Sequence, residues 1–443
     1  MTDTNENIPL YLLTYNCNKQ KLDYDLVIPK IMESLPDQLS TLYVFGLEEL
    51  CSIIDGCFVE NASNHLIKFN KFFIEALNRK YGTEDVKFHT IGMNHIGAIG
   101  IIAITPYPLK FHKLRLGRSG CGYGYSSMKG AAGIRLSYIP EGRHESTKSP
   151  VEMTFANFHL SAYEGDHYFQ KRNNEVNLLM RSMDFGDGYS LLKPRAHCFV
   201  MGDLNYRTTK KYDPNSASFN QLLNLQDQSK LDHGDIEELV KNYDELTEER
   251  HNGNIFAGFS EACINFRPTY KYHLNTAIYN RKRSPSWCDR ILYQSTYKNN
   301  LSLVLSRKKE SSPVLPQVHE YGSIQSILSS DHQPVYLSIT VPTSPPESII
   351  SAHGYLQVLP SETPNNHFRH DTNDQGMDVS DESIIGATQI YMKSTVLDRL
   401  IQGYIRKISD FSIGQGLWFS STSKGRLALL LVALFCWGAY YVI

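Results

Sequence analysis

The stretch CFVMGDLNYR, residues 198–207, climbs through apolar residues and then sets down an acid, an amide and a guanidinium at Asp203, Asn205 and Arg207. A short run of β-branched and aromatic side chains reads as a strand, and polar groups at its carboxyl end stand where α/β sheets open onto a ligand crevice. Asp and Asn also cap helices and shape turns, so this stretch alone leaves both readings open.

Four other segments repeat the pattern. LLTYNCN delivers Asn16, YVFGLEEL delivers Glu48 and Glu49, FANFHLSA delivers Asn157 and His159, and SPSWCDRIL delivers Asp289 and Arg290. SSDHQPVYLSI reverses it, with Asp331 and His332 just ahead of a strand. Singly these are a cap, a solvated acid pair, a core histidine and a salt-bridged acid. Together they supply what metal-assisted hydrolysis of a phosphate ester needs. A hard divalent cation, magnesium above all, takes a few oxygen ligands from protein and keeps water, which suits Asn16 and Glu49. A positioned carboxylate must receive the proton of the attacking water, and Asp203 fits, with Asn205 aiming water or phosphate. Fixed donors stabilise charge on the transferring group, a task for His159 and His332, with Asp289 behind His332 to hold its ring.

Alternation predicts strands over 8–16, 41–47, 86–92, 97–105, 130–139, 151–160, 197–203, 288–294, 301–306 and 334–341. Leu66, Phe69, Phe73 and Leu77 form a helical stripe closed by Gly82, and Phe169, Val176, Met180 and Met183 form another. Strands outnumber helices in an irregular order, which predicts two mixed sheets packed face to face with helices outside.

The 443 residues, 41% of them hydrophobic, suffice for a large core. A formal net charge of -2 excludes the broad cationic field of a nonspecific nucleic-acid binder, so a polyanionic substrate must meet a local patch. Eight cysteines without a CxxC pair suit reduced thiols in the cytosol, and the amino terminus shows no secretory signal. Beyond Pro342 the composition turns to Pro, Ser, Asn and Asp, which predicts a flexible linker over 343–423 with a short helix somewhere in 386–410. The uncharged LALLLVALFCWGAYYVI, residues 427–443, follows Lys424 and Arg426 and predicts a tail anchor over 424–443 with the body in the cytosol. A terminal core helix would carry a polar stripe instead.

GDLNYR and PSWCDRIL closely resemble the two signatures of the inositol polyphosphate 5-phosphatases, and SDHQPV resembles their terminal motif. TYNCN, GLEEL, KGAAGIRL, NFHLSA, RNN at 172–174 and RPTYKY resemble further segments in the family's order, over about residues 8–341. The resemblance implies an endonuclease/exonuclease/phosphatase sandwich of two mixed β-sheets flanked by helices as a catalytic domain over 1–342, dependent on Mg2+. It implies Asn16 and Glu49 as metal ligands, Asp203 as base, Asn205 as orienting group, and His332, supported by Asp289, on the scissile phosphate. His159 and Asp331 complete the site. Substrate contacts carry over to Lys129, Arg135, Tyr270, Lys271 and Arg281. Glu48 replaces a common Gln, Tyr15 a Trp, Met128 an Asn and Arg281 a Lys, none of them a catalytic group. Arg207, Trp287 and Arg290 are expected to brace strand ends.

With its anchor, the chain resembles small tail-anchored members of the endoplasmic reticulum, which implies removal of the 5-phosphate of phosphatidylinositol 4,5-bisphosphate to give phosphatidylinositol 4-phosphate. One rival, an abasic-site endonuclease of the same superfamily, is disfavoured by the anchor and the missing cationic surface. Another, an inactive phosphoinositide-binding membrane tether, is disfavoured because Asp203 and Glu49 are both present.

Overall fold

The computed structural model describes residues 7–20, 23–140, 150–208, 233–280, 282–297, 316–357 and 390–442. The chain lays β1 (Asn7–Asn16), β2 (Leu42–Glu48), β3 (His89–Ile96) and β4 (Ile99–Thr105) into a first sheet. It then crosses to a second, made of β5 (Phe111–Gly120), β6 (Gly130–Tyr138), β7 (Val151–His159), β8 (Ala196–Asp203), β9 (Phe259–Ser260) and β10 (Asp289–Gln294). It returns through β11 (Gln317–Ser323) and β12 (Val335–Pro342), which pairs with β1. The strand orders are β11-β12-β1-β2-β4-β3 and β5-β6-β7-β8-β10-β9. Both sheets are mixed, because β1 is parallel to β2 but antiparallel to β12, and β7 is parallel to β8 but antiparallel to β6. The two-sheet sandwich expected from the sequence is the fold observed.

Side-chain alternation explains the layering. On β1, Ile8, Leu10 and Leu12 face the second sheet and join Ile134, Phe155, Met201 and Ile291 in the core between the sheets. Tyr11, Leu13 and Tyr15 point the other way, against α1 (Tyr24–Ser34) and α3 (Val59–Tyr81), which is preceded by the short α2 (Ile53–Cys57). The predicted stripe on α3 is buried there, and Phe73 stacks on Phe45 with ring centroids 3.9 Å apart. Outside the second sheet, Phe169, Val176 and Met180 of α4 (Asp166–Ser182) pack on Phe158, Val200 and Leu292. Two further helices, α5 (His233–Tyr243) and α6 (Glu245–His251), come between β8 and β9 along the chain and feed Val240 and Leu246 into the inner and outer cores.

Several expectations change. β5 and β11 were not anticipated because both are edge strands whose charged and exposed residues blur the alternation. The strand placed at 86–92 lies at His89–Ile96, since the β3–β4 turn closes at Gly97, whose φ of 53° puts a would-be Cβ 2.1 Å from the Ser127 carbonyl oxygen. The strand at 301–306 and residues 358–389 fall outside the described residues.

A flexible linker unbroken from 343 to 423 is not what forms. Ile349 and Ile350 are buried in the outer core of the second sheet, and Met392 joins them. The short helix expected in 386–410 is longer: α7 (Val396–Leu400), a π-turn (Ile401–Ile405) and α8 (Arg406–Ser421) run continuously and lie on the body. Composition missed this because the docked face is polar. A last helix, α9 (Ser423–Val442), follows a break at Thr422. Its residues Ser423–Tyr440 are long and apolar enough to cross a membrane, with a mean hydropathy of 1.2.

Candidate active site

Strand register alone assembles most of the site. In the first sheet Asn16 pairs with Glu48 at the carboxyl ends of β1 and β2. In the second, Asp203 at the end of β8 pairs with His159 on one side and with Asp289, the first residue of β10, on the other. Packing of the two sheets then brings the groups together: Asn16 Nδ2 donates to Asp203 Oδ2 at 2.9 Å. Asn157 fastens the sheets one layer below, its Nδ2 donating to the carbonyls of Leu47 at 3.1 Å and Gly100 at 2.9 Å. Gly202 is required just before Asp203, since φ is 137° and an added Cβ would lie 2.0 Å from the Phe158 carbonyl oxygen.

Asp203 Oδ2 also faces His159 Nε2 at 3.2 Å and His332 Nε2 at 4.0 Å. Burial alone would raise the Asp203 pKa, but His332, His159 and Lys129 together hold it well below the usual carboxylate range. His332 is fixed from behind, its Nδ1 3.0 Å from Asp289 Oδ2, which itself accepts the Thr269 hydroxyl at 2.6 Å. Burial works against the imidazolium, yet Asp289 and Asp203 outweigh it and push the pKa up to about 9. Asp289 is pushed up by burial and by Asp203, against the pull of His332. His159 goes the other way from His332: burial and the Lys129 ammonium, 2.5 Å from its Nε2, lower its pKa. The two histidines at one carboxylate are thus shifted in opposite directions.

Tyr270 packs against His332 with ring centroids 4.4 Å apart and the rings tilted by 38°, and the Arg207 guanidinium lies 4.5 Å from the centre of the Tyr270 ring. Lys271 pairs with Asp331 at 2.8 Å. Glu49 turns out of β2 at φ 47° and meets Lys19 at 3.0 Å. It lines a cleft of about 200 Å³ with Lys19, Lys129, His159 and Lys171, which gathers three lysines at one opening. A larger hollow of about 560 Å³ beside β11 is lined by none of these groups.

Two expected residues are placed differently. Arg135 does not reach the cleft: it lies five residues along β6 from Lys129's end, roughly 17 Å by strand rise. It is buried, donating to Thr154 Oγ1 at 2.8 Å, Asp187 Oδ1 at 2.9 Å and the Ser190 and Leu191 carbonyls. Asn205 is near Asp203, but Nδ2 donates to the Leu160 carbonyl and Oδ1 accepts from Arg207, so its amide braces the loop. Arg281 lies outside the described residues. Arg290 is buried against Asp244 and Glu261, and Trp287 donates to the Phe266 carbonyl, as strand-end braces. Sequence reasoning missed Thr269, Lys19 and Lys171. All three lie in or beside recognised segments, Thr269 within RPTYKY, Lys19 just after TYNCN and Lys171 just before RNN at 172–174, but nothing in those segments assigned them a place in the site.

The sequence profile of Endonuclease/Exonuclease/phosphatase family 2 matches residues 13–338. The chain belongs to the endonuclease/exonuclease/phosphatase family. Among its relatives in this family, type IV inositol polyphosphate 5-phosphatase 11 of Arabidopsis thaliana is 29% identical over 49% of this chain and 53% of its own length. The polyphosphatidylinositol phosphatase INP53 of Saccharomyces cerevisiae is 31% identical over 48% of this chain and 16% of its own. The chain thus spans about half the length of the first relative and far less of the second. These relatives are, by name, inositol phosphate and phosphoinositide phosphatases, which are phosphoric monoester hydrolases, in line with the resemblance noted in the sequence. The solved inositol polyphosphate 5-phosphatase domain of a synaptojanin, in complex with inositol (1,4)-bisphosphate and calcium ion, superposes with a TM-score of 0.58 at 22% identity, covering 76% of this chain and 85% of that one. At that identity the likeness establishes the fold.

A family of this kind implies a divalent cation, and the residues present fit one. Glu48 Oε2 and Asp289 Oδ1 are buried without a hydrogen-bond partner. Burial, Asp289 and Asp203 together push the Glu48 carboxyl well above the usual range, the mark of a buried acid crowded by other acids. Ligand atoms of Asp203, Asp289 and His332 lie within 4.8 Å of one another, Glu49 lines the cleft, and Asn16 stands against Asp203 with its Oδ1 accepting from the Asn18 N–H at 3.0 Å. Such an oxygen-rich set suits a hard cation.

Proposed function

We propose that this chain is a magnesium-dependent phosphoinositide 5-phosphatase, anchored in the endoplasmic reticulum membrane by α9 with its body in the cytosol, that converts phosphatidylinositol 4,5-bisphosphate to phosphatidylinositol 4-phosphate. The observation that carries the reading is the meeting of Asn16 and Asp203 from different sheets beside a His332 that Asp289 holds protonated. The relatives' names and the lysines at the cleft support the substrate class.

Asn16 and Glu49 are the ligands we assign to magnesium, which when bound would neutralise phosphate oxygens and lower the pKa of a coordinated water. Asp203, fixed as an anion by Asn16 and His159, takes the proton of the water that attacks phosphorus. A new P–O bond forms as the bond to the C5 oxygen breaks, and that oxygen takes a proton from solvent and leaves as the inositol hydroxyl. His332 presents its Nε2–H to the transferring group, where charge grows in the transition state. Lys129 and Lys271 meet the remaining phosphates, and Tyr270 keeps His332 from rotating.

Phosphate release by the purified chain from short-chain phosphatidylinositol 4,5-bisphosphate, with magnesium or chelator, tests this. Magnesium-dependent release from that lipid, with no incision of abasic DNA, is expected. Absence of release, or incision of DNA instead, overturns the reading.

A further inference from the structure

The continuous helical segment Val396–Ser421 plays no part in the chemistry above, yet it has two faces of opposite character. One carries Asp398, Gln402, Arg406, Asp410 and Gly414, spaced four apart and all turned to the body. Asp398 accepts from Arg181 at 3.0 and 3.2 Å. Gln402 accepts from the Gly120 N–H at 2.8 Å and donates to the Gly120 carbonyl at 2.9 Å. Asp410 accepts from the Ser127 N–H and hydroxyl at 2.6 Å each, and a Cβ on Gly414 would lie 2.8 Å from Cys57. Four residues exceed one α-helical turn, so such a row drifts around a straight helix, and the wider π-turn at Ile401–Ile405 turns it back. The loop gripped in this way leads into Lys129 at the cleft.

The opposite face carries Leu397, Leu400, Tyr404, Ile408 and Phe411, each at least 50% exposed. The exposed charged residues of the segment, Arg399 and Lys407, are both basic, while its acids turn to the body. An apolar row flanked by bases is the pattern of a helix lying in the interface of an anionic bilayer. The segment runs with a single break into α9, and Trp418 and Phe419 stand at the junction, the residue types that favour the headgroup level.

We propose that Val396–Ser421 lies in the surface of the same bilayer that α9 spans and, through Gln402 and Asp410, holds the active-site loop against that surface, so that the enzyme works on headgroups of its own membrane. The membrane seat stands on the helix alone; its consequence for turnover rests on the phosphoinositide reading.

The test uses the full chain reconstituted in vesicles of phosphatidylcholine and phosphatidylserine. With Ile408→p-benzoylphenylalanine, illumination is expected to give adducts with phospholipid. Adducts only with a second copy or another protein, or none, overturn the proposal. With Leu400→Gln, Tyr404→Gln and Ile408→Gln combined, turnover of phosphatidylinositol 4,5-bisphosphate in the same vesicle is expected to fall at least about tenfold, while soluble inositol 1,4,5-trisphosphate is hydrolysed as before. Unchanged same-vesicle turnover, or wild-type turnover as fast on separate vesicles, overturns it. If no version hydrolyses either substrate, the phosphatase reading fails while the lipid adducts still decide the membrane seat. If the triple variant loses soluble activity as well, the adducts again decide.

Discussion

Asn16 and Asp203, 187 residues apart and on different sheets, share a 2.9 Å hydrogen bond that closes the site across the sandwich. The amide leaves Asp203 ionised and fixed, because it donates to the oxygen that His159 also faces. Asp203→Asn keeps the shape and removes the anion. Phosphate release is expected to fall by about a thousandfold, within the range for loss of a general base, with circular dichroism unchanged. A variant within tenfold of wild type would mean that another group takes the proton.

Arg135 separates a substrate contact from a structural one. Its guanidinium is 1% exposed and spends its donors on Thr154, Asp187, Ser190 and Leu191 while lying 4.2 Å over the Phe185 ring. Arg135→Met leaves the Ser190 and Leu191 carbonyls without their partner and takes one of its partners from Asp187, which keeps Lys193 at 3.1 Å, and breaking a buried pair costs about 3 kcal/mol. Denaturant unfolding should show that loss, with KM for the lipid unchanged at temperatures where the variant is folded. A raised KM with unaltered stability would restore Arg135 to the substrate.

The same contrast shows which features could be read from the letters. The interior strands β1, β2, β7 and β8 and the residues at their ends were readable because alternation and a terminal polar group are local facts. Arg135 was misplaced because a motif gives position along the chain, while its distance from the cleft follows from strand rise and from a pocket made by Asp187 and Ser190, which no motif contains. The docking of Val396–Ser421 was unreadable for a different reason: its buried face is built from Asp398, Gln402, Arg406 and Asp410, and polar residues ordinarily signal solvent.

His332 gives a pH dependence with a defined sign. Its pKa is about 9 in the fold, against about 6.5 for a free histidine, so the folded state binds the proton more tightly. The resulting stability is fully present below about pH 6.5 and is lost as pH rises through about 9, amounting to about 3 kcal/mol for this buried group. In chelator, the stability difference between wild type and His332→Gln should shrink by about that amount across the window. A difference that stays flat from pH 6 to pH 10 would show that the imidazole is neutral throughout.

Carboxyl groups crowd the end of the sandwich. Asp289 is paired with His332, Asp203 draws on His332, His159 and Lys129, and Glu48 accepts the Thr14 hydroxyl at 2.9 Å while its Oε2 is buried without a hydrogen-bond partner among the described residues. A divalent cation held at Asn16 and Glu49 would relieve this crowding in the folded chain and gain nothing comparable in the unfolded one. Saturating magnesium or calcium should therefore stabilise the protein over the chelated form, by about 2.7 kcal/mol at a hundred times Kd. Glu49→Gln should weaken that shift without lowering the midpoint in chelator, because its partner Lys19 is a surface cation whose pair contributes little. A denaturation midpoint indifferent to cation, in a protein that still releases phosphate, would place the chemistry on the side chains alone.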